Sequence, residues 1–383
     1  MGFEYEDIKG EIIALRREIH MYPELAFNEY ETAKRICRIL DKHQIPYING
    51  IAKTGVVATV GTKNDKVLLI RADIDALPIS EKTNLSFASK NEGVMHACGH
   101  DIHIASVLAT ALLLKKHESQ LNGSVKFVFQ PAEEGVGGAL PMIEEGILDN
   151  PKVTCAIAGH IDPKLETGKI KIKPGALMAS PDDFEIKFIG KSTHGAEPQN
   201  GINPIPAAAE MTLKLSELAR KLSKAVNVLS VCTVMADGSV NIIPEEAIIK
   251  GTFRSFSEED RKEACDLIKA VSEEIAHRYG VKLEYEYHFL YPPVINEENT
   301  TKKLVSVSEC VLGKENIILM DKPLMTGEDF AYFCKYAPSA LVWYGAKSDN
   351  YDFPLHSANM VANEDAIEVC TRIFFEFAVN YLD

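Results

Sequence analysis

The sequence predicts an α/β protein into which a second, α+β domain is inserted. The length of 383 residues exceeds what one hydrophobic core usually fills. Apolar strands alternate with helices in the first and last parts of the chain, and this order changes in the middle. We therefore expect residues 1-177 and 294-383 to form a main domain, and residues 178-293 to form an inserted domain.

The main domain is predicted to begin with two helices, Asp7–Met21 and Glu29–Lys42, because apolar residues recur in them at helical spacing. Mostly apolar strands follow, as is typical of a sheet that is covered on both faces. In chain order these strands are Val56–Val60, Val67–Ala72, Val125–Gln130, Thr154–His160 and Ala340–Gly345. Further helices are expected at Ala105–His117, Thr301–Val311 and Glu364–Tyr381.

The inserted domain is predicted to have the order strand, helix, strand, strand, helix, strand. This order is that of the ferredoxin-like sandwich. Ser257 before an acidic turn gives the second helix a capping signal. The predicted elements are Phe184–Ile189, Pro204–Leu222, Val228–Met235, Ala247–Phe256, Glu258–Tyr279 and Lys282–Phe289.

Composition narrows the class of protein. The formal net charge of −14 disfavours a nucleic-acid partner, because an acidic surface repels phosphate. The apolar stretch Ala105–Leu114 is too short to cross a bilayer, so no membrane partner is expected. Eight cysteines are scattered singly rather than in paired spacings, which indicates a reducing, cytoplasmic location.

A set of metal-binding residue types is the most informative feature of the chain. A thiolate, imidazoles and carboxylates suit zinc and similar divalent ions. The set exceeds what one four-coordinate ion needs, so two metal ions are expected, and such sites are typical of hydrolytic enzymes. Several members follow predicted strands, whose carboxyl ends share one edge of a parallel sheet. The candidates are Cys98, His100, Glu133, Glu134, His160 and His356.

Other polar residues accompany this set. In "QPAEEG" one of the adjacent glutamates can bind metal while the other takes a proton from the attacking water. Asp73 and Asp75 follow a strand, and one of them can orient a metal-bound histidine or the water. His96 and His103 lie beside Cys98; we expect each to support a ligand or to contact substrate rather than to bind metal.

The strings "RADIDALP", "MHACGHDIH", "QPAEEG", "STHGAEP", "TGEDF" and "PLHS" together resemble metallopeptidase family twenty, the aminoacylase and carboxypeptidase family. The closest likeness is to its amidohydrolase branch, with hippurate hydrolases and N-acetyl-amino-acid deacetylases. The resemblance implies a zinc-peptidase-like catalytic domain and an inserted lid domain that also dimerises. It implies that Glu133 is the general base and that Asp75 assists a metal-bound histidine. The implied ligands are Cys98, His100, Glu134, His160 and His356.

The resemblance also implies roles for lid residues. His194, in "STHGAEP", would stabilise the oxyanion, either in its own subunit or in the neighbouring subunit of a dimer. Asn241 and Arg254 resemble substrate-binding positions, and an arginine suits a free carboxylate. Gly327 and Glu328 fall in a segment that lines the pocket in the family. Asp73 occupies the position of a histidine ligand in the wider family, so its role stays open.

The predicted activity is metal-dependent hydrolysis of an N-acyl amino acid, such as an N-acetyl or benzoyl derivative, to a carboxylate and a free amino acid. Zinc, manganese, nickel and cobalt all suit the mixed ligands. The alternatives are an N-acetyl-diaminopimelate deacetylase, a dipeptidase and, from another class, a non-catalytic metal-binding domain on the same fold. The expected assembly is a homodimer or a higher homo-oligomer.

Overall fold

The computed structural model describes residues 1–135, 137–222, 227–349 and 352–383. These residues form two compact units. The first unit contains Met1–Leu177, Ile295–Lys322 and Asp329–Asp383; the second contains Met178–Val294 and Pro323–Glu328. The segment Pro323–Glu328, which was predicted as part of the main domain, lies in the second unit.

The first unit is built around an eight-stranded sheet, counted over the described residues. Its four central strands are parallel and almost completely buried, which explains their continuous apolar sequences. The predicted α/β class is therefore confirmed. In sheet order the strands are Tyr47–Ile51, Gly55–Val60, Ser124–Gln130, Val67–Asp73, Cys155–Asp162, Ser339–Gly345, Ile170–Ile172 and Ile317–Leu319.

Helices cover this sheet. The helix His100–Lys116 is buried from His100 to Leu114. The hydroxyl of Thr371, on the last helix Asp365–Leu382, donates a hydrogen bond to the Ser106 carbonyl at 3.3 Å. We predicted a start at Ala105, which is wrong: the polar residues His100, Asp101 and His103 already lie in the first turn. The helices of the unit are Glu6–Met21, Tyr30–Lys42, His100–Lys116, Ala139–Glu144, Glu298–Leu312, Ala331–Tyr336 and Asp365–Leu382.

The second unit has the predicted order of strands and helices. Its antiparallel sheet runs Val228–Ala236, Glu246–Ser255, Ser180–Ile189 and Lys282–His288. The helices Ile205–Leu222 and Glu258–Tyr279 share a hydrophobic core with this sheet. Ser257 caps the second helix, with its Oγ accepting from the Asp260 N–H at 3.2 Å. A short pair, Thr193–His194 and Ile242–Ile243, lies outside the main sheet.

No helix among the residues that the structure describes has the length and apolar character needed to cross a membrane.

Candidate metal centre

Parallel strands of the first unit bring the candidate residues to one edge of the sheet. The strand Val67–Asp73 ends at Asp73, and Ser124–Gln130 ends shortly before the paired glutamates. His160 lies two residues before the end of its strand, Cys155–Asp162. Residues that follow parallel strands were expected to lie close together, and these residues do. The strand Cys155–Asp162, however, was predicted to end at His160.

Gly99 lets Cys98 and His100 lie side by side. Its φ of +81° is strained for a residue with a side chain, and a Cβ there would lie 2.1 Å from Ile161 Cδ1. The helix begins at the next residue, so the thiol precedes the helix and the imidazole lies in its first turn. His356 reaches the same place because its backbone N–H donates to the Ala97 carbonyl at 2.9 Å.

Five side chains converge in the first unit. Cys98 Sγ lies 3.4 Å from His160 Nε2 and 3.3 Å from His356 Nε2. Glu134 Oε1 lies 3.1 Å from His356 Nε2 and 3.8 Å from His100 Nε2. Among the described residues, the groups of side chains that could hold a metal ion include one of Cys98, His100 and His160 and another of Cys98, Glu134 and His356. Cys98 belongs to both.

Three of these four distances fit the spacing of ligand atoms around a divalent metal ion, and the 3.1 Å contact between Glu134 and His356 is slightly shorter. In a tetrahedron with metal–ligand bonds of about 2.0–2.3 Å, neighbouring ligand atoms lie about 3.3–3.8 Å apart. His100 Nδ1 faces the Asp75 carbonyl at 2.8 Å, and His160 Nδ1 faces the Ile161 carbonyl at 2.9 Å. Both rings thereby turn Nε2 toward the centre. His100 Nε2 is buried and has no hydrogen-bond partner among the described residues.

The charges of the centre favour cations. Burial raises the pKa of the Cys98 thiol well above its usual value, and the Glu134 and Glu133 carboxylates raise it further. Burial would lower the pKa of His100, but Asp73, Asp75 and Glu134 outweigh it and raise that pKa to about 10. Without a metal ion the thiol and this imidazole therefore keep their protons at neutral pH, and a bound cation would replace them.

His160 differs from His100 in its protonation. Burial, followed by the electrostatic effect of His103, lowers the pKa of His160 to about 3. A neutral imidazole is the form that binds metal. Its ring packs against Trp343 with the ring centroids 4.5 Å apart.

Asp75 fixes the backbone of the paired glutamates. Its two carboxylate oxygens accept the N–H groups of Glu133 and Glu134, each at 3.0 Å. The shorter contact of Asp75 with His100 uses its backbone carbonyl, at 2.8 Å, whereas its carboxylate lies 3.4 Å from the same nitrogen. Asp75 thus contacts both the imidazole and the loop that carries Glu133. A carboxylate oxygen of Glu133 itself lies within 4.8 Å of ligand atoms of His100 and Glu134.

Asp73 and His103 are engaged with other groups. Arg71 Nη1 donates to Asp73 Oδ2 at 2.7 Å, and His103 Nδ1 donates to Asp73 Oδ1 at 2.5 Å. His103 Nε2 accepts the Ile161 N–H at 3.0 Å. Both nitrogens of His103 are therefore used, which supports the expectation that it holds its neighbours rather than metal. His96 is buried, and neither ring nitrogen has a partner among the described residues; burial lowers its pKa to about 3.

A buried network beside the centre was not predicted from the sequence. Arg71 donates to Gln130 Oε1 and Asp329 Oδ1, both at 2.8 Å. Asp329 also accepts the Ala139 N–H at 3.0 Å, so the network holds both ends of the loop 130–139. One signal was available: an arginine inside the apolar run "VLLIRA" needs buried carboxylates as partners.

The second unit contains the remaining candidates. His194 is exposed and pairs with Ile242 in the short sheet, and its Nδ1 accepts the Ala196 N–H at 3.1 Å. Asn241 lies next to it, with its carbonyl accepting the Gly195 N–H at 2.7 Å. Burial lowers the pKa of Arg254, which lies on the strand Glu246–Ser255.

Gly327 and Glu328 lie in Pro323–Glu328, the later of the two segments that make up the second unit. A Cβ on Gly327 would lie 2.8 Å from Pro181 Cγ, so a larger residue needs a shift there. Glu328 is buried.

Comparison with known proteins places these features in a family. The profile of Peptidase family M20/M25/M40 matches residues 69–380. The chain is 40% identical over 376 residues to an N-acetylcysteine deacetylase of Bacillus subtilis, covering 97% of both chains. It is 34% identical over 382 residues to the hippurate hydrolase of Campylobacter jejuni, covering 99% of this chain and 98% of the relative.

A solved structure agrees with this assignment. A Bacillus subtilis protein described as a dinuclear metal-binding peptidase of the M20 family matches with a TM-score of 0.85 and 37% identity. The match covers 98% of this chain and 99% of the other. The predicted fold class and the predicted class of enzyme, a metal-dependent amide hydrolase, are confirmed. The chain belongs to Peptidase family M20/M25/M40, as its motifs predicted.

Proposed function

We propose that this protein hydrolyses N-acyl amino acids to a carboxylate and a free amino acid, using two divalent metal ions. The observation that carries the proposal is the position of Cys98, whose thiol lies within 3.4 Å of both His160 and His356. The names of the deacetylase and the hippurate hydrolase support the substrate class.

The proposed ligands are Cys98, His100 and His160 for one ion, and Cys98, Glu134 and His356 for the other. When bound, zinc, manganese, nickel or cobalt would polarise the amide carbonyl and make water more acidic. The mixed nitrogen, oxygen and sulfur ligands suit each of these metals.

Glu133 is the proposed general base and acid. Its carboxylate takes a proton from the attacking water and delivers it to the amide nitrogen as the C–N bond breaks. The carbonyl carbon gains the water oxygen and leaves as a carboxylate, and the amino acid leaves as a free amine. Asp75 keeps the Glu133 backbone in place through the hydrogen bond described above.

The second unit is proposed to hold the rest of the substrate. His194 would donate to the oxyanion, and Arg254 would bind the free carboxylate of the amino acid. Asn241, Gly327 and Glu328 are proposed to line the substrate pocket. These assignments follow from the family resemblance.

Replacing Glu133 by Gln tests the reaction. We expect turnover to fall at least about 100-fold with metal content and folding unchanged, because the amide cannot accept the proton. Near-normal turnover of a metal-replete Glu133→Gln variant would remove Glu133 from this role. A wild-type protein that binds metal but hydrolyses no amide would favour the non-catalytic alternative.

A substrate panel decides between the enzymatic alternatives. N-acetylcysteine, N-acetylmethionine, hippurate, N-acetyl-diaminopimelate and a dipeptide should be compared after the protein is loaded with each ion. A dipeptide preference has a specific observation in its favour, since a thermostable carboxypeptidase of Saccharolobus solfataricus is 34% identical over 375 residues. We expect the N-acyl amino acids to be preferred.

We also propose a homodimer formed through the second unit. The strand Val228–Ala236 lies at the edge of its described sheet, and Val234 and Met235 on it are 52% and 47% exposed. An exposed edge strand can pair with its copy across a two-fold axis. Light scattering should give a dimer mass that Val234→Lys lowers to a monomer mass.

A further inference from the structure

We propose that Glu29 is a positioning residue for Glu133, and that it acts through the backbone N–H of Ala132, the residue before Glu133. Glu29 immediately precedes the helix Tyr30–Lys42 and is fully buried. The mechanism above does not use it. The inference rests on the proposed role of Glu133.

Glu29 binds the residue that precedes Glu133. Its Oε1 accepts the N–H of Ala132 at 3.0 Å and that of Phe27 at 2.9 Å. Its Oε2 accepts the hydroxyl of Thr54 at 2.6 Å. Two of these partners are N–H donors, and the third is a hydroxyl that can donate or accept.

The conformation of Ala132 requires such support. Its φ is +54°, a left-handed value that residues with a side chain adopt reluctantly. The Ala132 N–H donates to Glu29, and the Ala132 carbonyl accepts the Gly137 N–H at 2.9 Å. Both polar groups of this strained peptide are therefore fixed, and the next residue along the chain is Glu133.

Glu29 and Asp75 together hold three consecutive N–H groups. Glu29 accepts from Ala132, and Asp75 accepts from Glu133 and Glu134. The carboxylates of Glu29 and Asp75 thus fix the backbone of the loop at the residues that carry the Glu133 and Glu134 carboxylates. A shift of about 1 Å at a reacting group can cost about 100-fold in rate, so loss of one of these contacts should be visible in turnover.

Three substitutions separate the contributions of Glu29. Glu29→Ala removes all three hydrogen bonds. Glu29→Asp keeps the charge but shortens the side chain by one methylene, which withdraws it from Ala132. Glu29→Gln can keep all three contacts, because its oxygen can accept both N–H groups and its amide can donate to the Thr54 hydroxyl.

Glu24 provides a matched control. Its carboxylate also accepts three hydrogen bonds, from Glu31 N and from Thr32 N and Oγ1, at the start of the same helix. These contacts do not involve the loop 130–139. Glu24→Ala therefore reports the cost of loosening the helix start alone.

Turnover and amide hydrogen exchange of the full-length, metal-loaded protein test the proposal. We expect Glu29→Ala and Glu29→Asp to lower kcat about 10- to 100-fold with KM within about twofold, and Glu29→Gln to restore most of kcat. Glu24→Ala should stay within about twofold of the wild type. Amides 132–134 should exchange faster in Glu29→Ala and Glu29→Asp, but not in Glu24→Ala.

The proposal is overturned if Glu29→Asp and Glu29→Gln both match the wild type, or if Glu29→Gln is as impaired as Glu29→Ala. It is also overturned if exchange at 132–134 does not change in Glu29→Asp, a readout that does not depend on activity. If Glu29→Ala does not fold, the Asp and Gln variants decide alone. Normal turnover of Glu133→Gln would contradict the proposed function, whereas normal turnover of Glu29→Asp beside an inactive Glu133→Gln contradicts only the inference.

Discussion

Substituting Asp75 by Ala tests how the loop of the paired glutamates is held. The variant loses the acceptors of two buried N–H groups, those of Glu133 and Glu134, each 3.0 Å from a carboxylate oxygen. A buried donor left without a partner costs about 1–3 kcal/mol, so the two together give about 2–6 kcal/mol. Water that enters the space of the missing side chain would move the loss toward the lower value.

Urea unfolding of the metal-free protein measures this loss, because bound metal would add its own stabilisation. The chain has two units, so the transition of the first unit should be followed separately. Trp343, the single tryptophan, lies in that unit and serves as the probe. We also expect turnover to fall after metal loading. A destabilisation below about 1 kcal/mol with normal turnover would refute the reasoning.

Two further predictions concern metal binding. The ring of Trp343 packs against His160, so binding of paramagnetic Co²⁺ or Ni²⁺ should quench the fluorescence of Trp343. The His160→Ala variant should lose this saturable quenching. Unchanged quenching in that variant would place the metal elsewhere. Binding should also release about two protons per chain near pH 7.5, from the Cys98 thiol and from His100, whose pKa without metal is raised to about 10. The raised pKa values mean that protons compete with metal, so affinity should rise with pH; calorimetry in buffers of different ionisation enthalpy measures the release, and binding without it would contradict the charge states described here.

The fold was predictable where burial leaves a simple pattern. The strand Val67–Asp73 is buried along its whole length, and its apolar run shows this directly. The edge strand Tyr47–Ile51 was missed because it is largely exposed and contains Asn-Gly, which resembles a turn. The start of the helix at His100 was missed because its first turn carries the polar residues His100, Asp101 and His103, which are buried rather than exposed to solvent.

The convergence of Glu133, Glu134 and His160, three of the candidate site residues, was predictable for a different reason. Parallel strands share an edge, so residues that follow them must come close, even when they are far apart in sequence. The contacts of Asp75 and Glu29 with the loop could not be predicted, because they depend on which backbone N–H groups a turn with a left-handed Ala132 exposes. The pairing of Arg71 with buried carboxylates could have been predicted, since a buried charge requires a partner.

Anomalous X-ray diffraction from crystals of the metal-loaded protein is the most direct test of a two-metal centre. We predict two peaks, one bounded by Cys98, His100 and His160 and the other by Cys98, Glu134 and His356, with the thiolate common to both. No peak among these side chains in an active, metal-replete sample would contradict it.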